Sequence, residues 1–189
     1  MKPYNRSIIV VKLTIIMKLK EAKLLINEDY LRYVSDKQKA NSFIYKLRFY
    51  YLERGFRFSF WFRLSNVNGF IGFISRIILH YLQSKFGILI HSSTKIGGGL
   101  YLGHGNGIII NPTAILGKNV SLSQFLSIGS NKGKAAVIGD NVYIAPHVSI
   151  IENVKIGENS TIGAGAVVNK DIPANSIAVG IPAKVIKTK

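Results

Sequence analysis

The sequence of 189 residues contains no cysteine, and its 9 acidic residues are outnumbered by 25 lysines and arginines. Without cysteine the chain has no disulfide scaffold, no thiolate zinc site and no thiol nucleophile, and we expect a cytoplasmic protein, since the cytosol requires no disulfide bridge. It also lacks a run of about 18 apolar residues, so a membrane-spanning helix is not predicted. Disorder is excluded as well, because 48% of the residues are hydrophobic and can form a core.

A division near residue 89 separates two regions of different composition. Residues 1–89 hold 17 of the 20 aromatic residues and a net charge of +11, whereas residues 90–189 hold 14 of the 18 glycines and a net charge of +5. The total length is that of one ordinary domain. We therefore expect two structural units, one aromatic and basic and the other rich in glycine, within a single compact chain.

The first region has the pattern of short helices preceded by an ambiguous leader. Residues 1–17 predict a short strand or a frayed leader, because Lys12 interrupts the apolar run and no small-residue cleavage site follows. A start of translation at Met17 is an alternative that the sequence leaves open. Within residues 18–89, apolar residues spaced by three and four predict three helices. The first covers 18–36, the second runs from a cap at 41–42 toward Leu64 with an interruption at Gly55, and the third covers 73–82.

The segment 56–63 alternates aromatic rings with arginines, and three interpretations of it remain open. It fits a helix that packs in the core or against another subunit, with its arginines extending outward. It also fits a peripheral contact with anionic lipid at the inner face of the membrane, since such segments combine rings with basic residues. Nucleic-acid binding is not expected, because the basic residues are spread along helices and no recognised motif accompanies them.

The second region repeats an aliphatic residue every six positions, with a two-residue shift before Leu116 and a four-residue insertion before Ile138. The thirteen positions are Ile90, Ile96, Leu102, Ile108, Leu116, Leu122, Ile128, Ile138, Ile144, Ile150, Ile156, Ile162 and Val168. This period fits neither an α-helix nor a long strand, but it fits a solenoid that turns a corner every six residues. We expect four to five coils over residues 90–173, helices of 18–89 at one end and a tail, 174–189, that folds back at the other.

The repeat and the segments near the C-terminus resemble the hexapeptide-repeat acyltransferases. The segments that carry this resemblance are Ile162-Gly163-Ala164-Gly165-Ala166 and Gly180-Ile181-Pro182-Ala183. The stretch from Ile90-His91 to Gly103-His104-Gly105 resembles the serine O-acetyltransferase branch. The resemblance implies a left-handed parallel β-helix, a homotrimer for which further pairing of trimers is left open, and acetyl-CoA as a co-substrate, with no permanently bound cofactor.

The resemblance also implies that His104 is the catalytic general base. Transfer of acetyl from a thioester requires the acceptor hydroxyl to lose its proton as it attacks, and imidazole, which titrates near neutral pH, suits that role. His104 lies between Gly103 and Gly105, where the missing side chains leave room for two substrates. No metal site is predicted, because the histidine spacing is poor for a three-imidazole zinc centre. The remaining histidines are expected to be structural or exposed: His80, His91 and His147.

A groove for acetyl-CoA between the coils of neighbouring subunits is a further implication of the resemblance. Small residues would let the pantetheine arm approach the backbone, and the candidates are Gly129, Ala145, Gly163, Ala164 and Gly165. Lys170 and Lys184 are the candidates that face the nucleotide phosphates. Gly129 and Ser130 are candidates for backbone N–H groups that stabilise the oxyanion developing on the thioester.

The sequence departs from serine acetyltransferases at the positions expected to bind the amino acid. Two expected acidic residues are replaced by Leu89 and Gly103, and an expected Arg-His-Pro triplet is replaced by residues 134–136. Burying an ammonium group without a carboxylate partner would be costly. We therefore prefer a sugar hydroxyl as acceptor, as in the exopolysaccharide and lipopolysaccharide O-acetyltransferases. Serine as acceptor and a non-enzymatic scaffold are the alternatives. The candidates to orient His104 are Asn106, Asn111 and Gln124.

Overall fold

A computed structural model describes residues 17–34, 42–131 and 133–189, so the predicted leader lies outside the described residues except for Met17. The first region forms four helices within this part of the chain: α1 (Leu19–Leu31), α2 (Phe43–Leu52), α3 (Arg54–Ser65) and α4 (Gly69–Phe86). None of them is long and apolar enough to cross a membrane. The predicted helix at 73–82 is longer at both ends, and it stops at Gly87, whose φ of 62° provides a left-handed C-terminal cap.

The helix predicted from 42 to 64 is two helices, and the break falls at Glu53 rather than at Gly55. Glu53 has an extended backbone, with φ −94° and ψ 103°, and it ends α2 and begins α3. Gly55 lies inside α3, where a Cβ would overlap the carbonyl oxygen of Leu102. This glycine is therefore a point of close packing between a helix and the solenoid rather than a helix breaker.

The aromatic segment 56–63 packs inward. Phe56, Phe58 and Phe62 are all buried, as the core-packing interpretation requires. This burial removes most of the rings that a contact with lipid would need, so the interpretation of this segment as a membrane contact is not supported. The expectation that its arginines extend outward is wrong for Arg63, which is 2% exposed.

Arg63 is buried because it forms an ion pair with Asp29 of α1. Its Nε donates to Oδ2 of Asp29 at 2.9 Å and its Nη2 to Oδ1 at 3.0 Å. The guanidinium also donates to the carbonyl oxygens of Ile96 and Gly97, and the carboxylate accepts the backbone N–H of Leu100 at 2.8 Å. Burial raises the pKa of the Asp29 carboxyl, and the charge and hydrogen bonds of Arg63 oppose that rise. The pair thus connects two helices to the first coil.

Short strands, all parallel except the last, form three sheets that wind around one axis. The first sheet contains β1 (Leu89–Ile90), β4 (Ile109–Ile110), β7 (Ser127–Gly129), β10 (Ser149–Ile151) and β13 (Val167–Val168). The second contains β2 (Lys95–Ile96), β5 (Ile115–Leu116), β8 (Val137–Ile138) and β11 (Lys155–Ile156). The third contains β3 (Tyr101–Leu102), β6 (Ser121–Leu122), β9 (Tyr143–Ile144), β12 (Thr161–Ile162), β14 (Ser176–Val179) and β15 (Lys184–Thr188). This is the parallel β-solenoid predicted from the six-residue period.

The predicted aliphatic positions form the interior of the solenoid. Twelve of the thirteen are buried, and Ile96 is partly buried against the same core. The strand register corrects the place of the two-residue shift. Ile90 pairs with Ile110 and Leu102 with Leu122, so the extra residues lie between Leu102 and Ile110 rather than after Ile108. The loop that contains His104 is therefore the insertion itself.

An asparagine ladder follows the corner between the second and third sheets. Asn119, Asn141, Asn159 and Asn175 all have φ of 56° or 57°, in the left-handed region that asparagine tolerates better than most residues. Each side-chain amide donates to the next along the stack at 3.1 Å. The ladder keeps this corner regular while the opposite corners carry insertions.

Removing the carboxylate of Asp29 should strongly destabilise the fold, because Arg63 would remain buried without its charge partner. We expect Asp29→Ala to lower the free energy of unfolding by about 3–5 kcal/mol. Urea denaturation followed by circular dichroism would measure it, with Glu28→Ala, a change at the exposed acid next to it, as the control. A loss below about 1 kcal/mol, the range of exposed pairs, would contradict the structural role of the pair.

Candidate active site

The candidate site is built on the loop 103–107, which we call the histidine loop. The backbone N–H of Gly103 donates to the carbonyl oxygen of Leu122 at 2.7 Å, so the loop begins in register with the next coil. His104 and Gly105 then both have positive φ, 61° and 49°. The imidazole of His104 is exposed and makes no hydrogen bond within the described residues. A base in this position is accessible to a substrate.

Bulky residues with left-handed backbone continue along the same corner, which joins the third sheet to the first and which we call the histidine corner. Phe125 has φ 57° and His147 has φ 60°, and their rings stack at 5.2 Å with an interplanar angle of 22°. A Cβ on Gly107, at the equivalent place one coil earlier, would overlap the ring of Phe125. Backbone strain of this kind concentrates at functional sites. The histidine corner therefore places bulky aromatic residues in a backbone conformation that strains them, whereas the corner with the asparagine ladder uses a residue that tolerates it.

The histidine loop rests on the helical region. A Cβ on Gly105 would lie 2.7 Å from the backbone nitrogen of Gly55 and 3.0 Å from Cβ of Arg54, so the loop touches the first turn of α3. At the far end of the loop, the N–H of Gly107 donates to the carbonyl oxygen of Phe86, at the end of α4, at 3.2 Å. The position of His104 is thus fixed by residues of α3, about fifty places earlier in the chain, and by Phe86 of α4, about twenty places earlier.

Tyr33 supports the strand that leads into the loop. Its hydroxyl oxygen accepts the backbone N–H of Leu102 at 2.9 Å, and its ring contacts that of Tyr101 at 4.6 Å. Burial raises the pKa of the Tyr33 hydroxyl well above its usual value, so this group stays protonated at neutral pH. Neither Tyr33 nor the first turn of α3 could be predicted from the sequence, because no local motif shows that a helix meets the loop.

The residues predicted to orient His104 occupy different places. Asn106 belongs to the histidine loop, and Gln124 lies on the histidine corner one coil further, with an enclosed Oε1 that has no partner within the described residues. Asn111 lies on another corner, where its Oδ1 accepts from the backbone and hydroxyl of Thr113. The structure therefore removes Asn111 from consideration and leaves the other two.

The positions that would hold an amino acid carry no acidic or imidazole group. Leu89 is exposed at the start of β1, and Gly103 opens the histidine loop. Of the residues that replace the triplet, Lys134 is exposed, whereas Ala135 and Ala136 are buried in the solenoid core. The positions at which the sequence departs from serine acetyltransferases therefore also lack the acidic and imidazole groups expected there.

The candidate acetyl-CoA residues fall into two groups along the solenoid. Ala145 and the run 163–165 lie on the histidine corner, below His104, and Lys184 pairs with Val179 beside them. The second group follows the opposite edge of the first sheet, at the ends of β7 and β13, and comprises Gly129, Ser130 and Lys170. With coils about 4.8 Å apart, each group forms a line parallel to the axis. One elongated ligand would contact both groups only by crossing the first sheet.

The structural need for glycine differs between two of the candidate positions, Gly163 and Gly129. A Cβ on Gly163 would lie 2.6 Å from Cγ1 of Val179, so packing within the chain explains it. A Cβ on Gly129 would meet no atom within 4 Å, and Gly129 lacks the positive φ that favours glycine. Next to it, the Ser130 hydroxyl donates to Glu152 at 2.9 Å. Gly129 therefore leaves open space at the surface of the first sheet.

The other histidines do not form a centre with His104. His91 shares a 2.7 Å hydrogen bond with the hydroxyl of Ser93, His147 stacks on Phe125, and His80 is exposed on α4. Within the described residues, no three metal-ligating side chains are close enough to hold an ion.

Comparison with known sequence families identifies the class of fold. Residues 135–170 match the family described as bacterial transferase hexapeptide (six repeats). The three sheets, the coil length and this match define a hexapeptide-repeat β-solenoid. Its curated relatives include serine acetyltransferases. The serine acetyltransferase of Staphylococcus epidermidis is 42% identical over 117 residues, which cover 60% of this chain and 55% of the relative. The chain spans between 35% and 55% of the length of the curated relatives it matches.

Solved structures of serine acetyltransferases resemble the fold over 89% and 90% of this chain. Serine acetyltransferase of Neisseria gonorrhoeae in complex with serine superposes with a TM-score of 0.71 and 27% identity, covering 89% of this chain and 70% of that one. Serine acetyltransferase of Brucella abortus in complex with coenzyme A gives a TM-score of 0.68 and 26% identity, covering 90% and 70%. The similarity therefore extends from the solenoid into the helical region.

Two glycine substitutions should differ in their effect on stability. Gly105→Ala places a methyl group against the backbone of Gly55, on a residue of positive φ, and we expect it to lower the free energy of unfolding by about 1–3 kcal/mol. Gly129→Ala adds a methyl group in open space, and we expect a change within about 0.5 kcal/mol. Urea denaturation of both variants tests the packing of the histidine loop. Equal stability of the two would show that α3 does not press on the loop.

Proposed function

We propose that this protein is an acetyl-CoA-dependent O-acetyltransferase with serine as its acceptor and His104 as general base. The observation that supports it most is the exposed imidazole on an insertion of the solenoid, within a fold shared with enzymes solved in complex with serine and with coenzyme A. The curated relatives are also serine acetyltransferases. They favour serine over the sugar acceptor preferred from the sequence, and nothing in the comparisons supports the polysaccharide branch.

The reaction proceeds by direct transfer between two bound substrates. An imidazole nitrogen of His104 removes the proton from the acceptor hydroxyl while that oxygen attacks the carbonyl carbon of the thioester. The C–S bond then breaks, the acetyl group remains on the acceptor oxygen, and the coenzyme A thiolate takes up the proton. Gly129 and Ser130 lie across the first sheet from His104 of the same chain, so the proposed backbone donors to the developing oxyanion are those of a neighbouring subunit.

The lines of small residues provide the proposed surface for acetyl-CoA. The unexplained open space at Gly129 fits close approach of the pantetheine arm, which a side chain there would obstruct. Lys170 and Lys184 are exposed and suit contact with the nucleotide phosphates. The histidine corner supplies the remaining candidates, Ala145 and the run 163–165.

A homotrimer would complete the groove and cover an apolar row on the first sheet. Leu89, Ile109 and Ile151 point outward from this sheet and are 56%, 50% and 42% exposed. Leu89 and Ile109 are partners on neighbouring strands and form a small apolar patch, whereas Ile151 lies in register with Gly129. Exposed apolar side chains of this kind are expected at a contact between protein copies. The patch lies between the histidine corner and Gly129, so a neighbouring subunit there would enclose both groups of candidate residues.

A sugar hydroxyl remains the second candidate acceptor, and one observation favours it. Leu89, Gly103 and the pair 135–136 offer no charge to a zwitterion at the places where the sequence analysis expected it. A neutral hydroxyl needs no such partners. Assays with L-serine and with free or lipid-linked saccharides would separate the two candidates.

Removal of the imidazole should abolish most of the transfer. We expect His104→Ala to lower kcat for L-serine by about 10²–10⁴-fold, the usual contribution of a positioned general base. Release of coenzyme A thiol in the presence of L-serine measures the rate, and His80→Ala, which changes an exposed histidine on α4, is the matched control. Undiminished transfer by His104→Ala would refute the assignment of the base, and a wild-type enzyme inactive toward serine would refute the acceptor.

A side chain in the open space at Gly129 should weaken the binding of acetyl-CoA without unfolding the protein. We expect Gly129→Ala to raise the KM for acetyl-CoA about tenfold, a difference of about 1.4 kcal/mol. Initial rates at saturating acceptor, together with calorimetric binding of coenzyme A, measure the effect. Unchanged KM and affinity would place acetyl-CoA elsewhere on the solenoid.

A further inference from the structure

Two arginines of α3 flank the histidine loop. Cβ of Arg54 lies 3.0 Å from the place a Cβ would take on Gly105, directly after His104. The guanidinium groups of Arg54 and Arg57 lie over the ring of Phe86, at 6.0 Å and 5.1 Å from its centre. Phe86 in turn accepts the N–H of Gly107 through its carbonyl oxygen. Both cations are therefore held beside the histidine loop.

Neither guanidinium has an anionic partner within the described part of the chain. Glu53 directly precedes Arg54 but forms no ion pair with either arginine there, and Arg63 is the arginine that pairs with an acid. The Nε of Arg57 is enclosed and has no hydrogen-bond partner among the described residues. Because the Nε is covered, an external oxygen would reach Arg57 at the other nitrogens of its guanidinium, which also have no partner within the described residues.

The chemistry of this pair suits a carboxylate or a phosphate, and in the proposed reaction the acceptor supplies a carboxylate. The planar fork of a guanidinium matches the two oxygens of a carboxylate, and charged hydrogen bonds of this kind are about twice as strong as neutral ones. The ring of Phe86 keeps both groups extended in place, so less side-chain freedom is lost on binding. An uncharged sugar would gain none of this, whereas an amino acid would present a carboxylate a few bonds from its hydroxyl.

We propose that Arg54 and Arg57 bind the carboxylate of the amino-acid acceptor and so determine the specificity of the site. This inference rests on the proposed function. It accounts for the missing Arg-His-Pro triplet at residues 134–136, because the cationic groups reach the histidine loop from helix α3 instead of from a coil. The two residues position the acceptor and take no part in the transfer of the proton.

The test compares L-serine with L-serinamide, which keeps the hydroxyl and the amine but lacks the carboxylate. We expect the wild-type protein to prefer L-serine in kcat/KM by about tenfold or more, and we expect Arg54→Gln and Arg57→Gln to raise the KM for L-serine about tenfold with a smaller change in kcat. The preference for L-serine over serinamide should fall toward one. A merely structural defect would lower the rates with both acceptors together.

Two further variants complete the design. Arg48→Gln changes an exposed arginine on α2 and should leave both acceptors unaffected. Arg57→Lys keeps the charge without the fork and should restore part of the preference for L-serine. If the wild-type protein acetylates L-serine and both glutamine variants keep its KM and its preference, the inference is overturned while the proposed function stands. If the wild-type protein does not acetylate L-serine, the proposed function fails, and the inference fails with it.

Discussion

The buried ion pair between Asp29 and Arg63 is the interaction on which the rest of the structure depends. A charged pair of this kind is costly to bury, and it persists here because its remaining hydrogen-bonding positions are used by backbone groups of the first coil. The pair sets the position of α1 and α3 relative to the solenoid. From α3 the constraint passes through Gly55 to the histidine loop, so the proposed base is positioned by the helices as much as by the coil that carries it.

Much of the fold could be predicted from the sequence, because its dominant signal is local and periodic. Each coil repeats the same inward aliphatic positions, so the solenoid interior follows from counting residues. The same counting misplaced the two-residue insertion, since Ile108 and Ile110 are both buried aliphatic residues and only strand pairing tells them apart. The break at Glu53 was missed for a related reason. Gly55 looked like a helix breaker, but its small size serves contact with Leu102.

The candidate site was predictable only in part. His104 could be proposed from its glycine neighbours and the family resemblance. Its surroundings could not, because Tyr33, Arg54 and Phe86 lie far away in sequence and reach the loop through packing of helices. The same distance explains why Arg63 was expected at the surface, since nothing beside it in the chain indicates its partner on α1. The expected charged residues are absent from the loop and its neighbouring coils, but the sequence around the loop could not show that Arg54 and Arg57 of α3 lie beside it.

Each end of the solenoid is covered by a different device. At one end, α4 meets β1, and Gln83 donates to the carbonyl oxygen of Ile90. At the other, the chain reverses, β15 runs antiparallel to β14, and Ala183 donates to Val167. An uncovered parallel coil would offer its backbone to a second molecule and could grow into a fibre. Within the described residues, α4 and β15 therefore take up backbone groups of the end coils that would otherwise be open to another molecule.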